Sequence, residues 1–213
     1  MRGVVATSEN TSGRRYGGSS AEQRKQIRYE QLLTAAMECF GEQGLAGVGV
    51  RPVSAKAGIA PRYFRESFPD RDALLAALYD RAADQVLAAA LEILDADGDP
   101  ETRVRASLES VIHSLDQDPR LGPLLFGTTT EPVLRERREQ MVLDYADAIA
   151  AGAASMFPDR IDARSYRTTA IILAGGYIEL TTWWLADPSR VSRDELLDRA
   201  ASIFFATTTA PMR

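Results

Sequence analysis

Arg62, Tyr63 and Arg65 stand within four residues of one another, directly behind Pro61. At the start of a short helix, such side chains read nucleic acid. Arg62 can grip guanine O6 and N7 with two parallel hydrogen bonds, worth about 1 to 3 kcal/mol of discrimination against another base. Tyr63 can offer its hydroxyl to a phosphate or its ring to a thymine methyl. Arg65, one turn after Arg62, and Arg71, at the start of the next helix, suit phosphates, which fix register without reading sequence. Arg51 and Lys56 lie upstream and suit the same task. Each charge also has a plain reading as a solvated surface group.

The elements that must position these groups are legible around them. Arg51 to Ala57 turns Val53 and Ala57 to one side, as a helix of about two turns does. Gly58 supplies the left-handed backbone that ends it. Ile59 to Phe68 restarts the period with Phe64 and Phe68 four apart and facing inward. Pro61 suits the helix entrance, where its missing N–H costs nothing. The spacing therefore predicts a helix-turn-helix, although any helical hairpin needs a glycine and two apolar stripes.

Joined to the amphipathic segment I-R-Y-E-Q-L-L-T-A-A-M-E-C-F-G-E-Q-G-L (Ile27 to Leu45), the run A-G-I-A-P-R-Y-F-R-E-S-F-P-D-R-D-A-L-L resembles the N-terminal signature of TetR-family transcriptional regulators. The resemblance covers about Gln23 to Leu78 without gaps. The chain departs from the family's usual pattern at Arg65, where an aromatic is common, near Gly49, where Ser or Thr is, and at Arg71, where Lys is.

Charge supports a DNA-facing end on an acidic body. Residues 1 to 65 hold ten Arg and Lys against five acids, and residues 66 to 213 hold fifteen against twenty-five. The single cysteine, Cys39, sits between Met37 and Phe40 as a small hydrophobe. A reducing, cytoplasmic location fits, and no cofactor is expected. The greasiest stretch, Ala170 to Ile178, falls short of the roughly 20 residues that span a bilayer, so no membrane span is predicted. Catalysis finds little support. No nucleophile motif appears, one Cys and one His cannot build a zinc site, and Asp144 and Asp147 read as a solvated face. The closely spaced glycines of G-E-Q-G-L-A-G-V-G-V lack the strand and spacing of a nucleotide loop.

The fold expected is all-α: a tail at residues 1–20, with Arg14 and Arg15 as a mobile arm or plain tail, a three-helix helix-turn-helix domain at 21–69, and a larger helical effector-binding and dimerisation domain at 70–208. Helices are predicted over about Asp70 to Leu94, Pro100 to Leu115, Pro119 to Gly127, Glu131 to Met156, Asp162 to Ala186 and Ser192 to Ala206. Asp162 to Ala186 should be the most buried, because its paired glycines and dense apolar residues need cover on nearly all sides.

The resemblance implies that helices between about Pro100 and Tyr177 enclose a small-molecule pocket. His113, Phe126, Met141, Tyr145 and Tyr177 are its candidate lining, suited to a largely hydrophobic ligand. It also implies that the last two helices pair with their copies in a homodimer, through Gly175, Gly176, Trp183, Leu196, Ile203 and Phe204. The function implied is a ligand-responsive repressor that binds a pseudo-palindromic double-stranded DNA operator. Two other readings stay open: a protein-interaction relative that does not bind DNA, which the missing aromatic at position 65 keeps open while the basic set of Arg62, Arg65 and Arg71 argues against it, and a small-molecule-binding helical protein whose helix-turn-helix is incidental.

Overall fold

The computed structural model describes residues 20–94 and 96–209; the 1–19 part of the expected tail, with Arg14 and Arg15, lies outside the described residues. All regular structure among the described residues is helical. The chain runs through α1 (Ala21–Gln43), a 3-10 turn (Gly44–Gly47), α2 (Val50–Ala57), α3 (Pro61–Ser67), α4 (Arg71–Leu94), α5 (Pro100–Gln117), α6 (Leu121–Phe126), α7 (Pro132–Met156), α8 (Ala163–Ala186) and α9 (Arg193–Thr209).

Local chemistry sets the boundaries. Ser20 and Gln23 cap α1 reciprocally, so this helix begins six residues before the amphipathic segment that opens at Ile27. That first turn is wholly exposed, and apolar periodicity could not mark it. Asp70, Asp99, Asp162 and Ser192 each accept a main-chain N–H three residues on, at the starts of α4, α5, α8 and α9. Gly58 adopts φ +66° and its N–H returns to the last carbonyls of α2. Pro61 is the first residue of α3.

Phe64, Phe68 and Val53 close a three-helix unit over Leu32, Ala36 and Phe40 of α1. Tyr29 stacks on Phe68 with ring centroids 4.8 Å apart. The core does not stop at the expected domain boundary. Leu74, Leu75, Leu78 and Tyr79 of α4 carry it into α6 and α7, and Tyr79 donates to the Leu125 carbonyl at 3.2 Å.

Farther from the DNA-facing end, Ala146, Ala150 and Ala153 of α7 face Tyr166, Ala170 and Ala174 of α8. Small residues at this spacing let the two helices lie close. Leu196 and Leu197 of α9 pack on Ile112 and Trp184, while Arg105 of α5 reaches Asp194 and Asp198, both at 2.7 Å.

The expectation that Asp162 to Ala186 is the most buried helix is not met. α4 has that place, with nine buried residues. On α8, Ile172 is 70% and Trp183 45% exposed, because no other described helix covers its outer face. No helix among the described residues is long and apolar enough to cross a membrane.

Candidate functional site

α3 presents one side to the core through Phe64 and the other outward. Pro61, Arg62 and Arg65 are exposed and Tyr63 is half-buried. The Arg62 guanidinium lies 4.7 Å from the Tyr63 ring centroid and donates to its hydroxyl at 3.1 Å. From α1, Arg28 covers the same ring at 5.1 Å and donates to Glu66 at 3.2 Å. Arg28 thus fixes both a side chain and the outer edge of α3. An exposed cation on an aromatic face is held by only about 0.5 to 1 kcal/mol, so Arg62 can leave Tyr63 for a base edge. Arg51 is exposed on α2. Lys56 is exposed but pairs with Glu42 at 2.5 Å, and that hydrogen bond raises its pKa. The lysine stays charged while a carboxylate competes with any phosphate.

Arg71 departs from its expected role as a phosphate contact. Its Nε donates to the Val48 carbonyl at 2.8 Å, and one terminal nitrogen donates to the Leu45 carbonyl and to Glu131, both at 3.0 Å. The side chain is turned to protein groups because the 3-10 turn delivers two carbonyls to it. It ties the turn before α2 to the start of α7.

A cavity of about 420 Å³ opens between α5, α7, α8 and α9. Val104, Ser107 and Leu108 line it from α5, Tyr145, Ile149 and Met156 from α7, Leu173, Tyr177 and Leu180 from α8, and Ala200, Ile203 and Phe204 from α9. An inner chamber of about 80 Å³ shares Leu94, Ser107, Tyr145 and Tyr177 with it and adds Leu91, Val111, Phe126 and Thr181. Tyr145 donates to the Ala83 carbonyl at 3.3 Å and Tyr177 to the Leu108 carbonyl at 2.6 Å. Burial pushes both phenols well above their usual pKa, so they remain protonated. The lining can hold an apolar molecule and offers it few polar contacts.

Residues 32–78 match the sequence profile described as "Bacterial regulatory proteins, tetR family". The HTH-type transcriptional activator FasR of Mycolicibacterium smegmatis is 22% identical over 203 residues, spanning 93% of this chain and 92% of the relative. A transcriptional regulator from Pseudomonas aeruginosa shares the fold at TM-score 0.69 and 18% identity, over 92% of this chain and 95% of that one. So does the regulator FadR from Bacillus subtilis in complex with stearoyl-CoA, at TM-score 0.63 and 16% identity over 85% and 98%. Residues 32–78 of this chain form a TetR-family domain. That domain is the helix-turn-helix end found in bacterial regulatory proteins, and the rest of the chain is similar over nearly its full length to transcriptional regulators.

The helical body differs in detail from the sequence expectation. Phe126, Tyr145 and Tyr177 do meet around the cavity. His113 does not: it is exposed, two residues beyond Val111 and so about 200° round α5 from the lining stripe. Met141 lies one turn before Tyr145, in the core, with its sulfur 3.5 Å from the Tyr79 hydroxyl. α4 and α9 also wall the cavity, outside the range expected to enclose it.

At the expected dimer face, Gly175 has no neighbour within 4 Å and Trp183 is exposed, whereas Gly176 and the exposed Ile203 border the cavity. Phe204 is half-buried and lines the cavity. Leu196 is buried between α5 and α8 and has no face to offer a partner. Sequence reasoning misses Arg28 and most of the apolar cavity lining, and with it the buried hydroxyl of Thr181. Arg28 has no local pattern linking it to Tyr63, whereas Thr181, one turn after Tyr177 on an apolar helix, could have been found from its spacing.

Proposed function

We propose that this chain is a homodimeric, ligand-responsive repressor that acts in the cytoplasm. Its two α3 helices enter successive major grooves, roughly 34 to 36 Å apart, of a pseudo-palindromic operator. Arg62 reads guanine, Tyr63 adds a phosphate or thymine contact, and Arg51, Lys56 and Arg65 hold phosphates. A small, largely hydrophobic molecule in the cavity releases the DNA.

The observation that carries this reading is the sharing of α4. Arg71 at its first residue clamps the turn before α2, while Leu91 and Leu94 near its last residue line the chambers. A ligand that favours one setting of α4 therefore acts on the DNA-facing end, with free energy drawn only from its differential affinity for the two arrangements. The FadR neighbour was crystallised with stearoyl-CoA, in keeping with an apolar effector. A dimer follows from the few phosphates that one helix-turn-helix can neutralise and from the uncovered apolar face of α8 and α9.

The test is selection of bound duplexes from a random DNA pool at near-physiological salt, with Arg62→Ala alongside. We expect a palindromic motif that loses a guanine preference and about 1 to 3 kcal/mol of affinity in the variant. No enrichment by either protein would favour the protein-interaction reading. A reporter placed behind the selected operator then reads repression against activation, the role that the FasR relative carries in its name.

A further inference from the structure

The cavity holds one polar group that the fold leaves without a well-placed partner. Thr181 is fully buried, at 0% exposure, and its Oγ1 makes no hydrogen bond of good geometry. The next residue, Thr182, shows the usual helical solution by donating to the Ile178 carbonyl at 2.8 Å. Thr181 does not make the equivalent bond to the Tyr177 carbonyl and borders the inner chamber. The Tyr177 hydroxyl is its nearest candidate acceptor and a weak hydrogen bond between them offsets part of the effect of burial on that phenol, but the pair falls outside good hydrogen-bond geometry, so a better acceptor in the chamber would win Oγ1 from it. A buried donor left unmade is costly, and supplying its acceptor is correspondingly favourable.

The other hydroxyls of the lining have already placed their single protons. Ser107 donates to the Ala90 carbonyl at 3.0 Å, Tyr145 to Ala83 and Tyr177 to Leu108. No Asp, Glu, Lys, Arg or His lines either chamber among the described residues. An anion drawn inside would lose its hydration and meet no cation.

We propose that the cavity takes an uncharged, elongated apolar molecule bearing one carbonyl-type oxygen, which accepts a hydrogen bond from Thr181 Oγ1. The oxygen enters first, into the inner chamber, and the apolar chain fills the larger space toward Ile203 and the opening. A ketone, ester or lactone satisfies this chemistry. A free carboxylate does not, and an acyl thioester with a charged carrier would have to sit the other way round. The proposal rests on the reading of the cavity as the effector site and names the class of effector.

The test is displacement of the neutral fluorophore N-phenyl-1-naphthylamine by 2-dodecanone, dodecanoate and dodecanoyl-CoA, using the full chain, Thr181→Val and Thr181→Ser. Thermal unfolding checks that each variant folds. We expect the ketone to act at about tenfold lower concentration than dodecanoate or the thioester. Thr181→Val should weaken the ketone about five- to tenfold and leave the dye unchanged, while Thr181→Ser restores it. Equal or better displacement by dodecanoate or dodecanoyl-CoA would overturn the proposal, as would a valine variant indistinguishable from the wild type. Loss of ketone binding in both variants would assign the effect to methyl packing and also overturn it. The selected operator separates the two readings. Ketone binding with the expected variant pattern but unchanged operator affinity would uphold the ligand class and refute release, whereas failure of all three compounds to displace the dye would refute the class.

Discussion

Two guanidinium groups lie over the Tyr63 ring, and the two have different work to do. Arg62 can swing out to a base, whereas Arg28 is tied to Glu66 and stays with the ring. Each phosphate neutralised on duplex DNA contributes about 0.9 to the slope of log K against log salt. We therefore expect Arg65→Ala to reduce that slope by about one unit and weaken all sequences alike. Arg28→Ala should lower affinity for the selected operator with the slope unchanged, because Arg28 orients Tyr63 without meeting a phosphate. Binding titrations at several salt concentrations separate the two, and a slope loss for Arg28→Ala would make it a direct contact. Arg62 and Tyr63 are legible in the sequence because local spacing places them at a helix start. Arg28 is not, since its partner lies 35 positions away and only the packing of α1 on α3 joins them.

The helices are legible wherever a cap or breaker marks them: Gly58 and Pro61 around the turn, Asp70, Asp162 and Ser192 at three later starts. The 3-10 turn is not. Its glycines make no nucleotide loop, and the structure gives one of them a clear task. A Cβ on Gly47 would stand 2.5 Å from the Cys39 carbonyl oxygen and 2.9 Å from Gln43 Cβ. Backbone cannot yield as a side-chain tip can. We expect Gly47→Ala to cost about 1 to 3 kcal/mol, read as a lower Tm. Arg71→Ala should remove about 1.5 to 3 kcal/mol, toward the lower figure because a third of the side chain is exposed. Urea unfolding measures it, and a negligible change would show that the turn holds without its clamp. Pocket residues are harder to find for a geometric reason. One residue of phase on α5 separates buried Ile112 from exposed His113, and one turn on α7 separates the cavity wall from the core at Met141.

For the molecule as a whole, the uncovered face of α8 is open to a direct test. A methyl group added at Gly175 would have no neighbour within 4 Å, so a larger residue there suits the single chain and gains about 0.8 to 1.0 kcal/mol of helix propensity if alanine. Across a close two-fold contact the same side chain would collide. We expect Gly175→Gln to fold normally yet shift sedimentation from dimer to monomer and weaken operator binding. An unchanged dimer would place the interface elsewhere. The all-helical plan, the basic DNA-facing end and the acidic body are legible in the sequence. The continuity of one core from α1 to α8 is not, because charge and turn residues mark the surface of a boundary and not what packs beneath it.

That continuity gives α4 a mechanical property. Its 24 residues make a rod about 36 Å long, wedged in packed side chains for most of its length. Pivoted near one end, such a rod turns a tilt of about 5° into roughly 3 Å of travel at the other, close to the ~3.4 Å step between successive base pairs. In the mechanism proposed above, a displacement in the cavity no larger than a methyl group would be enough leverage to move a reading head by one rung of the duplex.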